Sequence, residues 1–318
     1  MTSAIVQTVG LGRDFVVRDG LRRRRVSAVD ALTVSIDPGE SVGYIGANGA
    51  GKSTTIKMLT GILVPTRGEV RTCGLDPVRE RRRLAREVGV VFGQRSQLWW
   101  DLPVHESLRI LAAIHDLSAT AEKARSEELV ERLELGDFLG VPVRQLSLGQ
   151  RMRAEVAAAL LHSPRLVILD EPTIGLDVLS KQRLREFLST ERRTHGTTLL
   201  LTTHDMGDVE RLCDRVLLVD RGSLLYDGDL PGLSRTVGAE RVLVVDLATA
   251  TPDLLDLSDA RHLASEGGGL RQRFSFDPEA TTAARVLAQV SDRAEVLDLA
   301  IEEPDVEDVV RRVYAARR

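Results

Sequence analysis

The sequence predicts an α/β protein: a parallel sheet covered by helices, a small antiparallel sheet before it, and a separate α+β unit after it. Three observations carry this. Short apolar runs recur at 41–45, 88–92, 166–169, 199–202 and 216–219, as in strands buried on both faces. Helical periodicity alternates with those runs, the pattern of a parallel sheet with helical crossovers. A glycine-rich loop, Gly46-Ala47-Asn48-Gly49-Ala50-Gly51-Lys52-Ser53, falls directly after the first run and before a helix.

The elements follow in order. Residues 1–45 alternate short apolar stretches with turns, which suggests an antiparallel sheet feeding the strand at 41–45. A helix is expected over 52–63, closed by Pro65. From about 98 to 160 the pattern turns helical, with Leu108, Leu111, Ala112 and His115 on one stripe, so this stretch is read as an insert. An amphipathic helix around Leu184, Phe187 and Leu188 should stop at Gly196. After Pro231-Gly232 the chain resumes as a second unit. Strands are expected at 242–247 and 274–276, and helices at 284–290 and from Pro304 onward. The expected domains are 1–234 and 235–318, the second an α+β accessory domain.

Composition narrows the function classes. The chain has 318 residues and a net charge of -4, which gives no support to bulk binding of nucleic acid. Cys73 and Cys213 fit no metal spacing and point to a reduced, cytosolic setting. No apolar run approaches the roughly 20 residues that span a bilayer, so a membrane role is expected to come through a partner.

Three sets of residues carry chemistry. In the loop at 46–53, glycines let successive backbone N–H groups converge on phosphate oxygens, and the following helix turns its positive end toward them. Lys52 would contact the β- and γ-phosphates of ATP, and the Ser53 hydroxyl would ligate Mg²⁺. The run at 166–169 delivers Asp170 and Glu171 to a strand end, Asp170 to hold the metal and Glu171 to act as general base on the attacking water. Gln94 and His204 each follow a strand of the same sheet and stand where an amide and an imidazole could sense the γ-phosphate, Gln94 also as a metal ligand. A lone histidine after a strand is more often an ordinary surface or core residue. The string Leu146-Ser147-Leu148-Gly149-Gln150 has no evident role in that pocket, which suggests ATP held between two chains.

Together these residues resemble the nucleotide-binding subunits of ATP-binding cassette (ABC) transporters over about residues 5–230. In that resemblance, 46–54 looks like the Walker A loop, ending in Ser53 and Thr54. Gln94 looks like the Q-loop, 146–150 the ABC signature, and Asp170 and Glu171 the Walker B pair. Gly175-Leu176-Asp177 looks like the D-loop, His204 the switch histidine, and Phe15 the adenine-stacking aromatic. The signature has Leu where the commonest form has its first Gly, a variable position that leaves Ser147 and Gly149 in place. The resemblance implies a P-loop NTPase fold with a RecA-like core, ATP and Mg²⁺ as ligands, and ATP hydrolysis. It implies nucleotide contacts at Phe15, Gly46, Asn48, Gly49, Ala50, Gly51, Lys52, Ser53, Thr54, Ser147, Gly149, Gln150 and Asp177. It further implies a head-to-tail dimer, read as a homodimer with two active sites or, alternatively, a heterodimer.

The stretch Phe92-Gly93-Gln94-Arg95-Ser96-Gln97-Leu98-Trp99-Trp100 holds both tryptophans of the chain. Adjacent side chains on an extended segment point different ways, so local packing alone and a groove for a helix of a membrane partner are equally open. With the signature and Walker B stretches, it looks most like ATPases of ABC-2-type exporters, within them the viologen-exporter-type group. That likeness implies ABC-2-type permease subunits as partners, a peripheral place on the cytoplasmic face of the inner membrane, and an unnamed cargo. The alternatives are a soluble ABC-type ATPase acting on ribosomes or nucleic acid, and an importer ATPase.

Overall fold

The structure, a computed structural model, describes residues 4–19, 22–93, 96–203, 205–251 and 257–315. It divides into two compact units, Met1–Asp229 and Leu230–Arg318. The first runs through β1 (Val6–Asp19), β2 (Arg22–Ile36), β3 (Ser41–Gly46), α1 (Lys52–Leu59), β4 (Arg67–Thr72), α2 (Arg81–Leu84) and β5 (Val88–Phe92). Three helices follow, α3 (Val104–Ile114), α4 (Ala119–Arg132) and α5 (Leu148–Leu160). The unit closes with β6 (Leu166–Asp170), α6 (Val178–His195), β7 (Thr198–Thr202), α7 (Met206–Leu212), β8 (Arg215–Asp220) and β9 (Ser223–Gly228).

The core is a six-stranded sheet in the order β5-β6-β7-β3-β8-β9, parallel except for β9. Val167, Ile168, Leu169, Leu200, Leu201, Leu217 and Leu218 are all buried, which explains the unbroken apolar runs. Each such side chain contributes about 1.5–3 kcal/mol by leaving water. β2, β1 and β4 form the separate antiparallel sheet expected at the N-terminus. One expectation fails locally: α1 ends at Leu59, not at residue 63. Gly61 turns left-handed at φ +71°, and the Gly61 and Leu63 amides bond back to Met58 and Lys57 carbonyls, closing the helix a turn before Pro65.

Two sets of contacts fix the helical insert, one to the sheet and one to α6. A Cβ on Gly89 of β5 would lie 2.1 Å from the Ala159 carbonyl oxygen of α5, so only glycine permits that approach. Arg125 of α4, almost wholly buried, pairs with Glu191 of α6 and with Glu128 at 2.7 Å, and its Nε donates to the Leu160 carbonyl. Arg132 adds a contact to Glu128 at 3.1 Å and stacks over Phe187.

The second unit contains α8 (Leu230–Thr236), β10 (Arg241–Leu247), β11 (Arg261–Glu266), β12 (Arg271–Phe276), α9 (Ala283–Ser291), β13 (Val296–Glu302) and α10 (Val306–Ala315). Its four strands pair antiparallel in the order β11-β12-β10-β13. Leu243, Val245, Phe274 and Phe276 form its core with Val286 and Val290 of α9. Because α8 packs with α10, the units part between residues 229 and 230, a few residues before the division expected from sequence.

Removing one partner of a buried ion pair leaves an uncompensated charge. Glu191→Ala should lower stability by about 3–5 kcal/mol, read from the urea unfolding midpoint.

Candidate functional site

The parallel register aligns three strand ends. Phe92 of β5 pairs with Asp170 of β6, and Asp170 with Thr202 of β7, so the segments that follow leave the sheet from one edge. β3 joins the same sheet between β7 and β8 and delivers the glycine-rich loop there. Gly46 sits where a Cβ would lie 2.6 Å from the Val219 carbonyl oxygen, and Gly51, at φ +101°, where it would meet the Ala28 carbonyl oxygen at 2.3 Å. Both positions therefore require glycine, and the chain enters α1 at Lys52.

A cleft of about 660 Å³ opens over this loop. Asn48, Gly49, Ala50, Gly51, Lys52, Ser53 and Thr54 line it, facing Asp170 and Glu171 across the space. Its size suits a small-molecule site. The Lys52 ammonium donates to the carbonyls of Gly46 at 2.5 Å and Ala47 at 3.2 Å, holding the loop closed on itself. Burial lowers the Lys52 pKa, and the nearby charges of Glu171 and Asp170 oppose that shift. An anionic ligand would favour the ammonium further.

Each acid is fixed by β7. Asp170 Oδ1 accepts from the Thr202 hydroxyl at 2.5 Å, and the Glu171 amide donates to the Thr202 carbonyl at 2.9 Å. Glu171 adopts φ +57°, a left-handed conformation that costs a non-glycine residue about 1–3 kcal/mol. Such a turn swings its side chain out of the strand's alternation and into the cleft wall. Ser53 and Asp170 offer hard oxygen donors on one cleft, a set that fits Mg²⁺.

Other predicted residues stand apart from this cleft. Ser147 caps α5 in a reciprocal box: its hydroxyl accepts from the Gln150 amide at 3.2 Å, and Gln150 Oε1 accepts from the Ser147 amide at 2.9 Å. Gly149 lies against Leu176, and Gly175, at φ +71°, against Leu148. Asp177 caps α6 through Ser180, whose hydrogen bonds hold its carboxyl below the usual range. Through these contacts the two loops adjoin, and Leu148, Val178 and Leu179 beside them are exposed. Phe15 lies on β1 under the Arg13 guanidinium, 4.8 Å from its ring centre, and is not among the cleft-lining residues. Gln94 and His204 lie outside the described residues.

The structure adds residues that sequence reasoning missed. Ala28, Lys57, Phe92, Gly93 and Ile174 also line the cleft. Asp208, fully buried on α7, binds Thr173 and accepts from Thr203 at 3.2 Å and Arg185 at 2.6 Å, tying together the turns after β6 and β7. Nothing in the spacing of these residues marks them, since their partners are 5 to 35 positions away. A second cleft, of about 420 Å³, lies between α5 and β5, with Arg81, Ser96, Gln97, Glu155, His115 and His162 in its wall. The two imidazoles stack at 3.8 Å and 7°.

Burial, with His115 beside it, pushes the His162 pKa down to about 4 from 6.5. The folded state therefore keeps His162 neutral while the unfolded chain binds a proton. Its stabilising contribution is full above pH 6.5 and is lost as pH falls toward 4. His162→Gln should flatten the acid loss of stability over that window, measured as urea midpoints from neutral pH downward.

Comparison with known proteins gives concordant matches. Residues 29–174 match the ABC transporter family. The ABC transporter ATP-binding protein NatA of Bacillus subtilis (strain 168) is 33% identical over 219 residues, covering 69% of this chain and 89% of that protein. The Nod factor export ATP-binding protein I of Burkholderia orbicola (strain AU 1054) is 37% identical over 264 residues, covering 80% and 83%. A solved ATP-binding subunit of an ABC transporter superposes with a TM-score of 0.67 at 28% identity, covering 74% of this chain and 94% of that one.

Proposed function

The chain belongs to the ABC transporter family as an ATP-binding subunit with an ATPase domain, and from that premise we propose that it powers export through separate permease subunits. Two copies would pair head to tail, each ATP lying between one copy's phosphate loop and the other's signature. One observation carries this: Ser147, Gly149, Gln150 and Asp177 lie where two loops adjoin, with exposed apolar side chains beside them, and none of them lines the cleft of Lys52, Ser53, Asp170 and Glu171. Each chain thus offers two half-sites, and a second copy completes both. Exposed apolar side chains around Ser147 and Asp177 are the kind of surface that pairing buries.

In this reading the backbone amides of 49–54 and the positive end of α1 take the phosphates. Lys52 exchanges its bonds to Gly46 and Ala47 for phosphate oxygens. Ser53, Asp170 and Gln94 would hold Mg²⁺, which neutralises phosphate charge when bound. Thr202 fixes the orientation of Asp170. Glu171, set by its left-handed turn, accepts a proton from the attacking water. Ser147 of the second copy donates to the γ-phosphate, and Gly149 lets the backbone approach it. Gln94 and His204 report the presence of that phosphate. Hydrolysis removes the bridging charge and the copies part.

Export is supported by the relative named for it. Among the described residues no helix is long and apolar enough to cross a membrane, so permease subunits would supply the path from a peripheral position at the cytoplasmic face. The cleft beside Ser96 and Gln97 would receive a short helix of such a partner. Trp99 and Trp100 remain 37% and 53% exposed, with Arg151 over the Trp100 ring, so part of each indole is open to a partner.

Glu171→Gln should retain ATP binding, lower turnover by roughly 10²–10⁴-fold, and accumulate an ATP-dependent dimer on size-exclusion chromatography. A variant that stays monomeric with normal turnover would sink the general-base assignment. Trp99→Ala with Trp100→Ala should reduce co-purification of the permease while leaving nucleotide affinity unchanged. Equal recovery of the complex would remove the docking assignment.

A further inference from the structure

Glu155 lies on α5, eight residues beyond Ser147 and about 12 Å along the helix axis. Its side chain is buried, at 4% exposure, among small neighbours: Ala154, Ala157, Ala158 and Ala159. Nothing in helix formation asks for an acid there, since alanine is the better helix former. Burying a carboxylate is costly unless its oxygens are hydrogen-bonded. Both are. Oε1 accepts from the Ser96 hydroxyl, and Oε2 from the Gln97 amide at 3.2 Å. The Gln97 side chain then donates to the Glu155 carbonyl and to the Val90 carbonyl of β5, each at 3.3 Å. The Leu98 amide binds the Ser96 hydroxyl at 3.1 Å. Burial pushes the Glu155 carboxyl up from its ordinary range, and the bonds from Ser96 and Gln97 counter it.

The segment two to three residues beyond Gln94 is therefore clamped to the helix that Ser147 caps. The same helix meets β5, the strand leading to Gln94, at the Gly89–Ala159 approach. Two attachments, about a turn apart on α5, leave little freedom for one element to shift without the other.

We propose that Glu155 is a positioning residue for ATP hydrolysis, locking the segment after Gln94 to the helix of Ser147. This rests on the roles given above to Gln94 and Ser147. In the paired state Gln94 serves its own chain's cleft and Ser147 serves the other. Glu155 is then the mechanical link by which the γ-phosphate in one cleft sets the signature offered to the second. It touches neither nucleotide, so its loss spares binding and slows turnover.

The test uses the full chain and its Glu155→Ala, Glu155→Gln and Ser96→Ala forms, with a fluorescent ATP analogue for affinity and phosphate release for turnover. Glu155→Ala should lower kcat roughly tenfold or more, with nucleotide affinity held within about twofold. Glu155→Gln keeps one accepting oxygen for Ser96 but sets an NH₂ against the Gln97 amide, so it should fall between the two. Ser96→Ala combined with Glu155→Ala should lose less than the sum of the two single losses, because both remove the shared Ser96–Glu155 contact. Unchanged kcat, affinity falling in step with kcat, or additive losses would each overturn the proposal. Should the alanine form not fold, Ser96→Ala and Glu155→Gln carry the same split between affinity and turnover. Adding Glu155→Ala to Glu171→Gln separates this from the reading beneath it. If Glu171→Gln alone forms no ATP-dependent dimer, the shared-site reading fails. If it does and the double variant pairs equally well, only the Glu155 link fails.

Discussion

The cleft depends on the in-register parallel pairing of β5, β6 and β7. Phe92 opposite Asp170, and Asp170 opposite Thr202, bring three reactive segments off the sheet at one level. Side chains alternate along a strand, so a slip of one residue would turn Asp170 to the other face and break its bond to Thr202. The same slip would take Val167, Ile168 and Leu169 off the neighbours against which each is closely packed. Hydrophobic packing of the sheet thereby sets the position of a carboxylate that takes no part in that packing.

Much of this was legible in the chain because buried parallel strands must be apolar runs and phosphate loops must be glycine-rich. The five core strands, the loop at 46–53 and the pair Asp170 and Glu171 follow from those two constraints. Long-range partners were not legible. Asp208 and Glu155 are ordinary acids in sequence, and only the fold shows that each is buried against hydroxyls and amides of another segment. Edge strands were also missed. β11 reads RHLASE and β13 reads VLDLAIE, mostly exposed on both faces, so neither shows the strong burial pattern of a central strand. The end of α1 differs for a local reason: Gly61 stops it a turn before Pro65.

The helical insert relates to the core through unlike contacts. Past the middle of α5 a carboxylate accepts from the segment after β5; about a turn further on, a glycine of β5 admits a helix carbonyl. Across the insert, Arg125 reaches α6 through ionic bonds. Hydrogen bonds and ion pairs hold direction as well as distance, which plain apolar contact does not.

The capping box at Ser147 sets a double demand on one atom. A hydroxyl has two lone pairs and a single proton. Accepting from Gln150 consumes one lone pair and leaves the hydroxyl proton available to a partner outside the helix. Helix closure and donation outward are therefore complementary uses of the same oxygen. A carboxylate such as Asp could close the helix equally well and would have no proton to give. Among ordinary N-cap residues, this narrows the choice at position 147 to side chains that accept inward and donate outward at once.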